Sequence, residues 1–155
     1  MKPNQEPITG KEKPGDLSRP FEALVHFYCA FNNRDFAMME QNWDSSEEAV
    51  MDNPLGGIRR GWGEIREVYE RLFNGPGRVY VEFYDYTIHE TPDLFYAVGR
   101  ERGWFEKGGI KIDLAIRTSR VFRRRGKTWR QVHHHGSIED PALLEKYQAA
   151  VSARP

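Results

Sequence analysis

From Phe21 the apolar residues Phe21, Leu24, Val25, Tyr28 and Phe31 recur at three- and four-residue spacing, and the run stops at the polar Asn32, Asn33 and Arg34. Such spacing predicts a helix with one buried face. Asp35 is placed to cap a second, shorter helix carrying Phe36, Met39 and Trp43 on one side, ended by Asp44, Ser45 and Ser46. Ala49 to Ile58 reads as a short extended segment with a turn at Asn53, Pro54, Gly56 and Gly57. After Gly61 a third helix sets Ile65, Val68, Tyr69, Leu72 and Phe73 against a charged face of Glu64, Arg66, Glu67, Glu70 and Arg71. Asn74 to Gly77 terminate it.

From Arg78 to Ser137 β-branched and aromatic residues alternate with polar ones between turn signals. Four antiparallel strands are expected near Val79 to His89, Leu94 to Phe105, Ile110 to Phe122 and Trp129 to Ser137. A closing helix follows, capped by Asp140, with Pro141 at its first position and Leu143, Leu144, Tyr147 and Val151 along one side. Helices first and a long meander after make an α+β domain over residues 20–155. Residues 1–19 differ. Met1 to Pro20 holds four of the nine prolines and hardly any large apolar side chain, which predicts a flexible tail, with an arm docked across a dimer partner as the alternative.

A two-residue turn at Arg125-Gly126 would pair Arg124 with Lys127 and, on one face, Phe122 with Trp129, Arg120 with Gln131, Thr118 with His133 and Ile116 with His135. That face, extended by Leu114, is the more apolar and is expected to meet the helices. Arg117, Ser119, Val121, Arg130, Val132 and His134 take the other face, and a slip of one residue exchanges the two sets. Mixed apolar and polar groups converging under helices describe a ligand cavity, which makes Thr118, Arg120 and Gln131 candidate contacts. Trp129 and Phe122 read as core, and Gln131 equally suits a structural role.

The run His133-His134-His135 suggests a metal, but only His133 and His135 share a strand face, and two imidazoles do not close a zinc site. His26, His89 or Asp52 would have to complete it, and no HExxH or two-His-one-carboxylate spacing is present, so neither metal nor cofactor is expected. For His133 and His135 two roles stay open: acid/base or hydrogen-bonding work in the pocket, and structural bonds to backbone or a partner subunit.

Composition narrows the class. A chain of 155 residues, 39% hydrophobic and 13% aromatic, suits one domain with its own core. The single Cys29 forms no disulfide within the chain and fits a reducing compartment. No apolar run approaches the roughly 18 residues of a membrane span, and Met1 to Pro20 lacks the apolar stretch of a signal peptide. A cytoplasmic protein with no membrane partner is therefore expected. With 23 Lys+Arg against 23 Asp+Glu, net charge also gives no reason to expect nucleic acid.

That balance conceals an asymmetry. Residues 1–77 carry nine basic and thirteen acidic side chains, whereas Arg78 to Arg130 carry twelve and seven. Arg123, Arg124 and Arg125 are read as a solvated hairpin tip. Arg120 points inward in the expected register, and a buried guanidinium needs a carboxylate or an anionic ligand: Glu101, Asp52 or a bound acid.

The order of elements resembles the nuclear transport factor 2-like superfamily, which includes ketosteroid isomerases and SnoaL-like polyketide cyclases. Three stretches carry the resemblance, over about residues 20–140: Phe31 to Asp35 at the first helix boundary; Ala49 to Gly57, with Gly61 and Ile65, at the first strand and third helix; and Trp129 to Ser137 at the last strand. It implies a curved, largely antiparallel sheet wrapped around N-terminal helices as a cone, with a pocket at the wide end and commonly a homodimer through the sheet. At the isomerase base position stands Asn53, and an amide cannot act as a general base. The isomerase oxyanion tyrosine falls near Phe27, with Tyr28 one place on, and its second acid near Thr118, so all three positions depart from that mechanism. The stretch Thr118 to Trp129 is also similar to calcium/calmodulin-dependent kinase association domains, whose pocket arginine matches Arg120 while a second one falls at Gly136.

Two functions are expected from this. The first is a cofactor-free isomerase, cyclase or dehydratase acting on a small cyclic or carbonyl substrate. His133 or His135 would move a proton, with Asp52 as the accompanying carboxylate if it faces the cavity. Arg120 would stabilise negative charge, and Asn53, Tyr28, Trp43 and Phe31 would contact the ligand. The second is a non-catalytic module holding a small or acidic ligand, or serving dimeric assembly. Because strands alternate, Asn53 in the pocket implies Met51 there and Asp52 outside, unless Pro54 distorts the segment.

Overall fold

The computed structural model describes residues 1–154. Its elements are helix α1 (Pro20–Asn32), helix α2 (Phe36–Asn42), strands β1 (Val50–Asp52) and β2 (Ile58–Arg60), and helix α3 (Gly61–Asn74). The long strands β3 (Arg78–Glu90), β4 (Leu94–Lys107), β5 (Ile110–Arg125) and β6 (Thr128–Ser137) follow, then helix α4 (Pro141–Ser152). The strands form one mixed sheet in the order β2-β1-β6-β5-β4-β3, antiparallel except where β1 runs parallel to β6. The fold is α+β, an open curved sheet closed into a cone by helices. Among the described residues no helix is long and apolar enough to cross a membrane.

Helix α1 is more enclosed than its spacing predicts. Every residue from Ala23 to Ala30 is buried, because the sheet covers one side and α2 and the N-terminal segment cover others. A helix that is buried all round needs no polar stripe. Its end is fixed by side chains of the polar run. Asn32 exchanges hydrogen bonds with the Val81 backbone, donating at 2.8 Å and accepting at 3.1 Å. Arg34, with φ 55°, donates to the carbonyls of Leu72, Phe73 and Gly75 at the C-terminus of α3. Asp35 caps α2 by accepting from the Met38 amide.

The segment expected to be a flexible tail is docked on its own chain. Asn4 and Ile8 exchange backbone hydrogen bonds with Tyr86 and Phe83, covering the edge of β3, and Ile8 is 1% exposed. Farther on, the Trp129 amide donates to the Leu17 carbonyl. Two apolar side chains, Ile8 and Leu17, with backbone and side-chain hydrogen bonds, hold this stretch, which is why its composition alone reads as a tail.

Two bulges bend the sheet. One lies in β3 between Tyr84 and Thr87, where Asp85 takes φ 51°, and the other in β6, where Phe122 faces Gln131 but Val121 faces His133 and Val132 is the extra residue. The β5–β6 turn is centred on Gly126 and Lys127, with Arg125 opposite Thr128 and Arg124 opposite Trp129. Compared with the expected pairing the partners are displaced by two residues, which preserves each face, so Phe122, Trp129 and Gln131 point inward. The bulge then adds one residue, and one residue exchanges the faces.

Candidate functional site

Beneath α3 and α4 the concave side of the sheet encloses a cavity of about 490 Å³. That is a common size for a small-molecule site. Its walls are mostly apolar: Phe27 and Phe31 from α1, Val68 and Leu72 from α3, Leu114 and Ile116 from β5. Tyr147 and Val151 of α4 close one side, and Lys107 holds that helix by donating to the carbonyls of Val151 and Ala153.

The polar groups converge at the deep end. Arg120 and Glu101, both buried on β5 and β4, form an ion pair at 3.0 Å. Arg120 also donates to Gln131 Oε1 at 2.8 Å and to the Tyr28 hydroxyl at 3.2 Å, and its guanidinium stacks 3.6 Å from the centre of the Phe27 ring. Tyr28 in turn donates to Glu101 Oε1 at 2.6 Å. Behind them Gln131 donates to Asn42, which donates to the Ala23 carbonyl and meets His26 Nδ1. Each of the three Arg120 nitrogens thus donates to a partner and Glu101 Oε1 accepts twice, which offsets the cost of burying two charges. Both hydrogen bonds to Glu101 fall on Oε1, and no described residue donates to Oε2.

Tyr69 of α3 and His134 of β6 complete this end. The Tyr69 hydroxyl accepts from Trp43 Nε1 at 3.2 Å, and no described residue accepts its proton. Burial pushes the pKa values of Tyr28 and Tyr69 up, so both stay protonated near neutrality, and pushes that of Tyr147 up to about 12. Burial, and then the charge of Arg120 opposite, hold His134 well below the ordinary histidine value of 6.5, so its imidazole is neutral.

The residues singled out from sequence divide accordingly. Arg120, Asn53 and Phe31 line the cavity, whereas Tyr28 and Gln131 are fully buried behind it and hold Arg120. Trp43 is core and orients Tyr69, and Thr118 is buried but does not line the cavity. Asn53 also closes its own turn, accepting from the Leu55 amide.

His133, His135 and Asp52 require correction. The Val132 bulge turns His133 and His135 to the outer face of the sheet and brings His134 inward. His133 Nδ1 meets the Val50 carbonyl at 2.9 Å, while His135 and Asp52 pair at 3.1 Å on the outside. Met51 lines the cavity as alternation requires. Asp52 therefore does meet His135, on the wrong side of the sheet for the cavity.

Glu101, Tyr69 and His134 are the groups that sequence reasoning did not place in the site. Glu101 carried a signal, being one of three candidate partners for an inward arginine. Tyr69 reads only as part of an apolar helix face, and nothing around Val132 marks a bulge.

A family model described as the SnoaL-like domain matches residues 22–141. No curated protein matches the chain. Several solved structures share the fold at low identity. A Thiobacillus denitrificans protein described as a calcium/calmodulin-dependent protein kinase type II association domain is 23% identical, with a TM-score of 0.70 over 81% of this chain and 99% of its own. A Streptomyces avermitilis protein described as a dehydratase of the nuclear transport factor 2-like family is 18% identical, with a TM-score of 0.68 over 76% and 93%. A ketosteroid isomerase-like protein from Erwinia carotovora atroseptica is 19% identical, with a TM-score of 0.65 over 81% and 97%. Relatives described so differently share an architecture rather than a reaction. With a family model matched over most of its length, and with the fold shared by nuclear transport factor 2-like proteins, the chain belongs to the SnoaL-like domain family.

Proposed function

We propose that the cavity binds a small, largely apolar molecule with a neutral oxygen function and moves a proton on it without a cofactor, in the manner of an isomerase, cyclase or dehydratase. The observation that carries this reading is the free Oε2 of Glu101, a carboxylate oxygen open to an apolar cavity while Oε1 is held by Arg120 and Tyr28. Glu101 Oε2 would take a proton from carbon beside a carbonyl, and the Tyr69 hydroxyl would donate to the developing enolate oxygen. Returning the proton to another carbon gives an isomer; expelling a β-hydroxyl as water gives a dehydration. The committed guanidinium of Arg120 neutralises the deep end, which favours a neutral head group there over an acid.

Hydrogen–deuterium exchange beside the carbonyl of cyclic ketones, followed by NMR in D2O, tests the reaction class. The intact protein is expected to accelerate exchange of 2-tetralone, and Glu101→Gln to lower that rate by about 100-fold or more, in the range of a lost general base. Acceleration that survives in Glu101→Gln would refute the assignment. A second reading, binding without turnover, is favoured by the commitment of Glu101 Oε1 to Arg120 and Tyr28, which makes the side chain part of a buried structural network. It predicts retained ligand by native mass spectrometry and no exchange. The expected second copy through the sheet is supported by exposed Tyr96 and Val98 on the outer face of β4, at 41% and 44% exposure. Light scattering after size-exclusion chromatography distinguishes a dimer from a monomer.

A further inference from the structure

The charges lining the cavity are distributed unevenly along its depth. At the sealed end Glu101 and Arg120 cancel. Toward the mouth, where Gly56, Arg71 and Pro76 are exposed, the remaining charged side chains are Arg59, Arg71 and Lys107, and Glu101 is the one acid among the lining residues. Lys107 is occupied by the carbonyls that end α4, and Arg71 meets Glu67 only at 3.5 Å.

Arg59 differs from both. It pairs with Met51 across β1 and β2, and directly opposed residues share a sheet face, so its side chain issues on the cavity side. It is half-buried, yet no described residue accepts a hydrogen bond from its guanidinium or pairs with it. A cavity-facing guanidinium that no carboxylate of the chain engages is free to pair with one from a ligand, and its planar donors fit a carboxylate.

We propose that Arg59 receives the carboxylate of the ligand at the cavity mouth, so that the ligand is an amphiphile with a neutral oxygen at its buried end and an acid at the other. Arg71 adds positive potential at the same opening. This inference rests on the cavity being a ligand site, and it adds the charge and polarity of what enters.

The probes are 6-hydroxy-2-naphthoate, which carries a hydroxyl and a carboxylate at opposite ends of an aromatic body, and its methyl ester. By isothermal titration calorimetry the acid is expected to bind about tenfold tighter than the ester, the worth of a charge-assisted hydrogen bond. Arg59→Met should remove that preference by weakening the acid far more than the ester, with an unchanged circular dichroism spectrum and urea midpoint reporting that the variant is folded. The acid's affinity, unlike the ester's, should fall with added salt. Equal binding of acid and ester, or a preference that survives in Arg59→Met, overturns the role of Arg59 and leaves the cavity reading standing. Failure of both probes to bind overturns both.

Discussion

Replacing Glu101 by methionine leaves the Arg120 guanidinium, 2% exposed, with Gln131 and the Tyr28 hydroxyl but no counter-charge. Breaking a buried pair from one side costs about 3–5 kcal/mol. For a domain of this size each kcal/mol corresponds to roughly 2–4 °C in Tm, so a fall of about 10–15 °C is expected. Arg120→Met should cost a similar amount, since it strands Glu101 and removes the donor to Gln131. The double variant removes both charges. It strands Gln131 Oε1 and the Tyr28 hydroxyl, each at about 1–3 kcal/mol, but gains up to about 4 kcal/mol from a well-packed apolar pair. With mid-range values, a cost of about 4 kcal/mol against a gain of about 2 kcal/mol, it should lie about 2 kcal/mol below the parent, and the cycle should show a coupling of about 3 kcal/mol or more. Urea unfolding at pH 7.5, with m-values checked for constancy, measures all four corners. Glu101→Gln, which keeps an acceptor for Tyr28 and Arg120, gives an intermediate loss if methionine proves too severe. Single-variant effects that add to within about 0.5 kcal/mol would show that the two charges do not depend on each other, and the account of the buried floor would fail.

Acid should destabilise the fold through His134. Its pKa in the native state lies well below 6.5, so below that pH the unfolded chain holds a proton that the native chain lacks, and stability falls as pH falls, by up to about 1.4 kcal/mol per pH unit for one group. Urea midpoints from pH 7.5 to 5 should be less pH-dependent in His134→Gln, with His26, lowered by burial and by Arg130, keeping its own share of the slope. Ile8→Ala should cost about 2–5 kcal/mol by urea unfolding, because Ile8 is a buried residue and not part of a solvated tail. Gly103→Ala should lose about 3 kcal/mol, near the upper end for overpacking, because a Cβ there would stand 1.8 Å from the Tyr80 carbonyl oxygen of the neighbouring strand; an unchanged urea midpoint would mean that β3 and β4 are not packed as described.

The elements were legible because their patterns are local. Capping by Asp35 and Asp140, the turn beside Gly126, and alternation along β4 and β5 each concern a few consecutive residues. The tail was not legible, since its order comes from Tyr86 and Phe83, nearly 80 positions away in the chain. Arg120 was legible as an inward cation because a two-residue error in register leaves the face unchanged. Its selection of Glu101 over Asp52 was not, since it depends on β4 lying beside β5 with Asp52 two strands away from β5.

The histidines show why the chemistry of a strand is harder to read than its existence. Val132 has neither the glycine nor the proline that would announce an irregularity, and alternation carried straight through it assigns His133 and His135 to the cavity. One unpaired residue reverses that assignment for every position beyond it. The consequence is chemical as well as geometric. On the outer face His135 is 53% exposed at its side chain and rests against Asp52, where water screens the pair. On the inner face His134 lies opposite Arg120, uncharged and dehydrated, among walls that exclude water. The same residue type, one position apart, is a solvent-exposed partner of Asp52 in one place and a buried, neutral polar group opposite an arginine in the other. On the proposed reading, acid/base work in the cavity would fall to Glu101, with Tyr69 and His134 as the neutral groups lining the same space.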